Sequence, residues 1–327
     1  MIYIKNDSTS PFFNFALEYY LLTQKQLDDD IYLLLWRTNP TLMIGKFQNT
    51  IEEINQKYVD ENNINVVRRI SGGGCIYTDL NTWQYSVINK NCKNRNIDFE
   101  KFTTPVINAL KELNIDAHFN NRNDLLIGNK KFSGNAQCIK ENSMVHHGSI
   151  LFNTDIEQMV KSITVSQDKI ISKGIKSIRE RVTNISEHLK IPMTNLEFRE
   201  VILKHLLDEN SSVYELTQDD LVSIKEIEDT MFNTWQWNYS KSPKFNIKKS
   251  NRYSGGKLEI NIDVAKGLIN NIKINGDFFA NNDIEELESK LLNCKYEKHE
   301  ISNLINKIDI DKYIHNITKE EILECII

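Results

Sequence analysis

The stretch Arg68-Arg69-Ile70-Ser71-Gly72-Gly73-Gly74 sets how the rest of this chain folds around it. It follows the apolar run Ile64 to Val67, which predicts a short buried strand. It precedes Ile76-Tyr77, a β-branched and aromatic pair that predicts another. Glycine lacks the Cβ that bars positive φ, so successive amides can turn toward one point and meet phosphate or carboxylate oxygens. Two arginines at the entry suit the same anion. A three-glycine link between strands is also what a plain tight turn looks like. Both readings stay open on this stretch alone.

Outward from the loop, the pattern predicts strands first and helices later. Residues 11 to 27 predict an early helix with a broad apolar face. Ile31 to Trp36 and Thr41 to Ile44 are apolar runs separated by Thr38-Asn39-Pro40, which predicts a hairpin. A short helix over Asn55 to Asn62 leads to the Ile64 strand, and Trp83 to Asn89 reads as the next one. A helix from Asp98 to Leu113 carries Phe102, Val106, Ala109, Leu110 and Leu113 on one face. Strands follow at Asp124 to Ile127, Lys131 to Ile139 and Val145 to Phe152. The segment from Asp155 to Thr230 is largely helical in pattern. Strands with few helices between them, then helices, predict an α+β domain with a mainly antiparallel sheet.

Near Tyr239-Ser240-Lys241-Ser242-Pro243 the character changes. Three strands (Phe245 to Lys249, Lys257 to Val264, Leu268 to Ile274) with turns at Gly255-Gly256 and Lys266-Gly267 precede helices from Glu285, Glu300 and Thr318. The expected division is 1–242 as a catalytic domain and 243–327 as a small α+β accessory domain. A length of 327 residues accommodates both.

Composition narrows the function. A net charge of −5 offers no global attraction for nucleic acid, so partners are read by local sites. No apolar run reaches the roughly 20 residues of a membrane span. Met1 to Asp7 lacks a secretory pattern, and a cytoplasmic address is expected. Five cysteines with no Cys-x-x-Cys pair argue against a disulfide framework or a structural zinc site. His146-His147 is the one adjacent histidine pair and no His-Glu-x-x-His occurs, so a dedicated transition-metal site is not expected.

Four further segments accompany the glycine loop. Asn121-Arg122-Asn123-Asp124 precedes a strand, Lys131-Phe132-Ser133-Gly134-Asn135-Ala136 begins the next, and His146-His147-Gly148-Ser149 lies in a third. The last, Ser172 to Asn184, holds Lys173, Lys176, Arg179 and Arg181 around Gly174. In this order the words Arg-Arg-x-Ser-Gly-Gly-Gly, Arg-Asn-Asp, Lys-x-Ser-Gly-x-Ala, His-His-Gly and Lys-Gly-Ile-Lys-Ser-Ile-Arg resemble the lipoate–protein ligase A family. Trp235-Gln236-Trp237-Asn238-Tyr239 with Ser242-Pro243-Lys244 resembles that family's entry into its accessory domain. The resemblance spans nearly the whole chain.

The resemblance implies a catalytic domain of the class II aminoacyl-tRNA synthetase and biotin ligase type. It also implies a two-step reaction: lipoate and ATP give lipoyl-AMP and pyrophosphate, and the acyl group then passes to a lysine of a carrier domain. Octanoate is a possible alternative acid. By resemblance Lys131 is the central cation, bridging the acyl carbonyl and the α-phosphate. Arg69 and the amides of Gly74, Cys75, Ile76 and Tyr77 contact ATP. Arg69, Ser71, Lys131 and His147 contact lipoate, with Ser71 beside its carboxylate end and His147 lining the acyl tunnel or orienting Lys131. Asp124 is the implied Mg²⁺ contact, and Lys173, Gly174, Lys176 and Arg179 form a lid over the adenylate. The implied partners are lipoyl domains of 2-oxoacid dehydrogenase E2 subunits or a glycine-cleavage H protein. Cys75 stands where many relatives carry alanine, Asn121 replaces a common glycine, and Thr78 falls where some carry histidine.

Three other functions compete. An octanoyltransferase of this fold needs a cysteine nucleophile, and no cysteine lies between Cys138 and Cys294. A biotin ligase would show a different phosphate loop. A non-catalytic binding module would have no need of Lys131 or the cationic loop.

Overall fold

Strands organise this protein, and their alternation decides which side chains meet. A computed structural model describes residues 1–92, 97–120, 122–163, 180–239, 247–265, 267–296 and 298–327. In chain order the strands are β1 (Ile2–Lys5), β2 (Ile31–Trp36), β3 (Thr41–Ile44), β4 (Asn65–Arg68), β5 (Ile76–Thr78), β6 (Thr82–Asn89) and β7 (Ala117–Phe119). They continue with β8 (Asp124–Ile127), β9 (Lys130–Lys140), β10 (Ser143–Leu151), β11 (Ser212–Glu215), β12 (Ile247–Tyr253), β13 (Gly256–Ala265) and β14 (Leu268–Gly276). An eight-stranded sheet runs β11-β1-β2-β6-β10-β9-β8-β7, with β1 parallel to both neighbours and the other pairs antiparallel. The expected α+β class with a mainly antiparallel sheet is observed.

Period-two alternation sends Leu33, Leu35, Tyr85, Val87 and Ile150 to one face, where the Glu100–Glu112 and Asn195–Leu206 helices cover them. The opposite face carries Tyr32, Leu34, Trp36, Ile88 and Val145 under the Pro11–Thr23 and Gln218–Ile227 helices. Ser10 caps the Pro11–Thr23 helix by accepting from the Phe13 amide, and Pro11 at the first helical position needs no amide partner.

The expected hairpin between β2 and β3 does not form. β2 joins the large sheet, whereas β3 is the centre of a separate three-stranded sheet, parallel to β4 and antiparallel to β5. The Thr38-Asn39-Pro40 link is tied elsewhere, with the Asn39 amide donating to Thr9 and the Asn65 amide to Pro40. Strands β1 and β11 escaped prediction: β11 (Ser-Val-Tyr-Glu) is an exposed edge strand with no apolar run, and β1 is defined by its pairing with β11 and β2. They pair with each other, so β11 interrupts the expected helical region.

The second unit is a meander, β12-β13-β14, whose inner face packs on the Ile284–Leu291, Lys298–Asn306 and Lys319–Ile326 helices. The expected boundary at 242/243 lies outside the described residues. The two units touch at the glycine loop, where the Gly73 amide donates to the Phe278 carbonyl at 3.0 Å, and beyond the end of β3, where Phe47 stacks on Phe278 at 4.9 Å between centroids.

Candidate active site

β4 and β5 flank β3, so the chain between them must cross the end of that strand, and residues 69–75 make the crossing. Arg69 holds the crossing from within. Its guanidinium donates to the carbonyls of Met43 (2.9 Å), Gly72 (2.8 Å) and Gly74 (2.8 Å), and to Ser71 Oγ (3.2 Å). Burial leaves Arg69 5% exposed and lowers its pKa to about 10, which keeps it charged at neutral pH. Gly73 adopts φ +92°, a conformation that L side chains rarely take. Gly72 has no room for a Cβ, which would overlap the Phe278 carbonyl.

Across the large sheet, strand register places Trp36, Gln84, Ser149, Gly134 and Asp124 in one row facing this loop. The adjacent row on the same face is Leu34, Ser86, His147 and Ala136. A cavity lies between the sheet and the loop. Phe15, Trp36, Met43 and His147 line its apolar end, and Lys131, Gly134 and Asn123 line the other.

Lys131 begins β9, and its main chain is fixed from both sides: its amide donates to Arg181 at 2.7 Å, and its carbonyl accepts from Thr183 at 3.0 Å. A Cβ on Gly134 would stand 2.7 Å from Lys131 Nζ, so the missing side chain is the ammonium's seat. Nζ forms a close ion pair with Asp124 Oδ1 at 2.7 Å. Asp124 is itself held by Asn120 Oδ1, which accepts the amides of Arg122, Asn123 and Asp124. Lys130 turns away, as alternation predicts, into a separate cleft with Asp155 and Glu187.

A second polar chain backs the apolar end. Arg69 Nε donates to Ser71 Oγ, which lies 2.6 Å from His147 Nε2; His147 Nδ1 donates to Glu18 at 3.0 Å. Ser86 donates to Glu18 Oε2 at 2.6 Å, and Trp36 Nε1 donates to Ser86 Oγ at 3.1 Å. With Nδ1–H committed to Glu18, Nε2 shares a hydrogen bond with the Ser71 hydroxyl, which links the loop to the helix. Glu18 is fully buried and reaches the site from the Pro11–Thr23 helix. Sequence reading missed it; the available signal was a lone carboxylate inside an apolar helical face, and buried carboxylates need partners.

Of the residues singled out by sequence, Arg69, Gly74, Cys75, Ile76, Lys131 and His147 line this cavity. Ser71 is buried behind it and reaches it through His147. Asp124 reaches it through Lys131. Tyr77 does not line the cavity: its ring is buried in the core beside β3, and its hydroxyl donates to Gln158. Cys75 carries a thiol that burial pushes up to about 12. His146, the neighbour of His147, points to the opposite face between Tyr85 and Phe102. The proposed lid residues Lys173, Gly174, Lys176 and Arg179 lie outside the described residues. The segment just after them, Arg181 to Thr183, pairs with Lys131.

These features agree with the comparisons to known proteins. Residues 10–207 match the family model of the lipoyl protein ligase A/B catalytic domain, and residues 242–326 match that of the bacterial lipoate protein ligase C-terminus. The chain belongs to the lipoate–protein ligase family and is an enzyme of that class. Lipoate-protein ligase LplJ of Bacillus subtilis is 43% identical over 332 residues, covering 100% of both chains. The structure of P. falciparum LipL1 in complex with lipoate is 26% identical, covers 99% of this chain and 97% of its own, and superposes with a TM-score of 0.82. A bipartite lipoate protein ligase of Thermoplasma acidophilum, solved in a study of that ligase and its E2 lipoyl domain, is 25% identical, with a TM-score of 0.65 over 75% of this chain and 98% of its own. Among the described residues no helix is long and apolar enough to cross a membrane.

Proposed function

We infer that the chain activates lipoate with ATP as lipoyl-AMP and then transfers the lipoyl group to a lysine of a carrier domain. The observation that carries this reading is the seating of the Lys131 ammonium over Gly134, at the polar mouth of a cavity whose far end is apolar. A medium-chain acid fits such a cavity with its carboxylate at the cation and its chain among Phe15, Trp36 and Met43.

In the first step a carboxylate oxygen of lipoate attacks the α-phosphorus of ATP. The bond from that phosphorus to the bridging oxygen breaks, and pyrophosphate leaves. Both reactants are anions, so the step needs fixed positive charge where they meet. Lys131 supplies it in the cavity, Arg69 supplies it from within the loop, and the amides of Gly74, Cys75 and Ile76, which line the cavity, are assigned to the nucleotide. Asp124 is the carboxylate that would hold Mg²⁺. One carboxylate together with phosphate oxygens is an ordinary magnesium environment, and bound there the ion would neutralise phosphate charge. In the second step the carrier lysine's amine attacks the acyl carbon, the carbon–oxygen bond to AMP breaks, and the amine loses its proton. Lys131 polarises the acyl carbonyl in this step. Ser71 and His147 shape the acyl end of the cavity, and Lys173, Gly174, Lys176 and Arg179 are assigned to a cover that excludes water from the anhydride.

Lipoyl domains of 2-oxoacid dehydrogenase E2 subunits and glycine-cleavage H protein are the proposed acceptors, and the E2 lipoyl domain studied with the Thermoplasma acidophilum ligase supports that class. Residues 1–242 are proposed to hold both substrates, with 243–327 as the accessory domain. ATP consumption suits a cytoplasmic setting. The test is lipoate-dependent pyrophosphate release from Mg-ATP without acceptor. The natural protein is expected to release it and Lys131→Ala to lose it; release independent of lipoate would refute the reading.

A further inference from the structure

Among the described residues three buried side-chain polar atoms make no hydrogen bond to a neutral group: Gln84 Nε2, Asp124 Oδ1 and Asn281 Oδ1. Asp124 Oδ1 is answered by the Lys131 ammonium, and Asn281 belongs to the second unit and does not line the cavity. Gln84 Nε2 is unanswered, and its side chain lines the cavity while only 4% exposed. A buried amide N–H without an acceptor costs as much as a broken hydrogen bond, so its persistence at a ligand cavity calls for an acceptor on the ligand.

The sheet register says which part of the ligand it meets. Gln84 on β6 lies beside Trp36 on β2 and beside Ser149 on β10, and Ser149 in turn lies beside Gly134, the seat of Lys131 Nζ. Two strand spacings therefore separate Gln84 from the carboxylate end, about 10 Å. Three extended chain bonds span about 3.3–3.6 Å, so the carbon chain of an eight-carbon acid advances about 8–9 Å. Gln84 stands where that chain ends.

We propose that Gln84 is a specificity-determining residue whose side-chain N–H donates to a ring sulfur at the distal end of the lipoyl group, selecting the dithiolane over the methyl end of octanoate. The proposal rests on the reading of the cavity as a lipoate site. Sulfur is a weak acceptor, so the gain is modest, but a methyl group offers no acceptor and leaves the buried donor unmet. Both acids still reach Lys131 equally well, because they share their carboxylate and most of their chain.

The experiment measures pyrophosphate release with lipoate and with octanoate, as kcat/KM, for the natural full-length protein, Gln84→Leu and Gln84→Met. Calorimetric binding of each acid runs beside it. The lipoate-to-octanoate ratio is expected to fall about 3- to 10-fold in both variants, matching the loss of one hydrogen bond. The ratio is internal to each preparation, so a variant that folds poorly still reports it. An unchanged ratio in both variants, in kinetics and in binding, overturns the proposal. Failure of the natural protein to bind or activate either acid is a different result: it refutes the lipoate reading and this inference with it.

Discussion

At the scale of single residues, the site depends on charges whose partners lie far apart in sequence. Lys131 and Asp124 were legible because each sits in a short word of recognisable chemistry. Glu18 and Gln84 were not, because their burial is made by contacts from other strands and helices that no local pattern carries. The two adjacent histidines show the same limit. Alternation sends His147 to the cavity and His146 to the core, but only the strand assignment says which is which. His146 is fully buried, accepts from Gln137 at Nδ1, and burial drives its pKa well below the ordinary 6.5. The unfolded chain takes up a proton as pH falls through about 6.5 while the native site does not, so stability falls toward acid by up to about 1.4 kcal/mol per pH unit until the native pKa is reached. Denaturant titrations between pH 7 and pH 5 should show this slope, and His146→Gln should flatten it; equal slopes would contradict a neutral His146. Cys75 makes a second residue-level prediction. With its thiol pushed up to about 12, about one in 10⁴ is thiolate at pH 8, so iodoacetamide should modify it far more slowly than a free thiol. Rapid modification seen by peptide mass would contradict that.

At the scale of elements, the long strands and the central helices were legible because their periods run for several turns or pleats. The hairpin expected between β2 and β3 failed because a turn signal fixes a change of direction and not the strand that is joined next. The glycine loop was legible as a crossing, yet its placement over the end of β3 depends on a small sheet whose strands are three or four residues long. Gly134 on β9 tests how the element serves the site. An added Cβ there meets the flexible end of Lys131 and no backbone, so Gly134→Ala should leave the melting temperature nearly unchanged while displacing the ammonium. A shift of about 1 Å in a catalytic group costs on the order of 10²-fold, and kcat should fall by about that much. Full activity with normal stability would show that the ammonium's seat does not matter.

At the scale of the whole molecule, two units recognised by separate family models meet on the glycine loop. The Gly73 amide is bound to the Phe278 carbonyl, and Phe279 packs against Phe99 at 5.2 Å between ring centroids. The accessory unit is therefore expected to shift when substrates bind against the loop. A Cβ on Gly72 overlaps the Phe278 carbonyl, so Gly72→Ala should loosen the docking and enlarge the radius of gyration without substrates. Small-angle scattering curves that are identical for natural and variant protein, and identical with and without Mg-ATP and lipoate, would contradict a movable unit. The central claim is chemical, and intact mass spectrometry of an apo-lipoyl domain tests it most directly. Incubated with the natural protein, Mg-ATP and lipoate, the domain should gain one lipoyl group, and it should gain none without ATP or with Lys131→Ala. Acyl transfer from an octanoyl carrier protein in the absence of ATP, with no adduct in its presence, would contradict the account and make the protein a transferase.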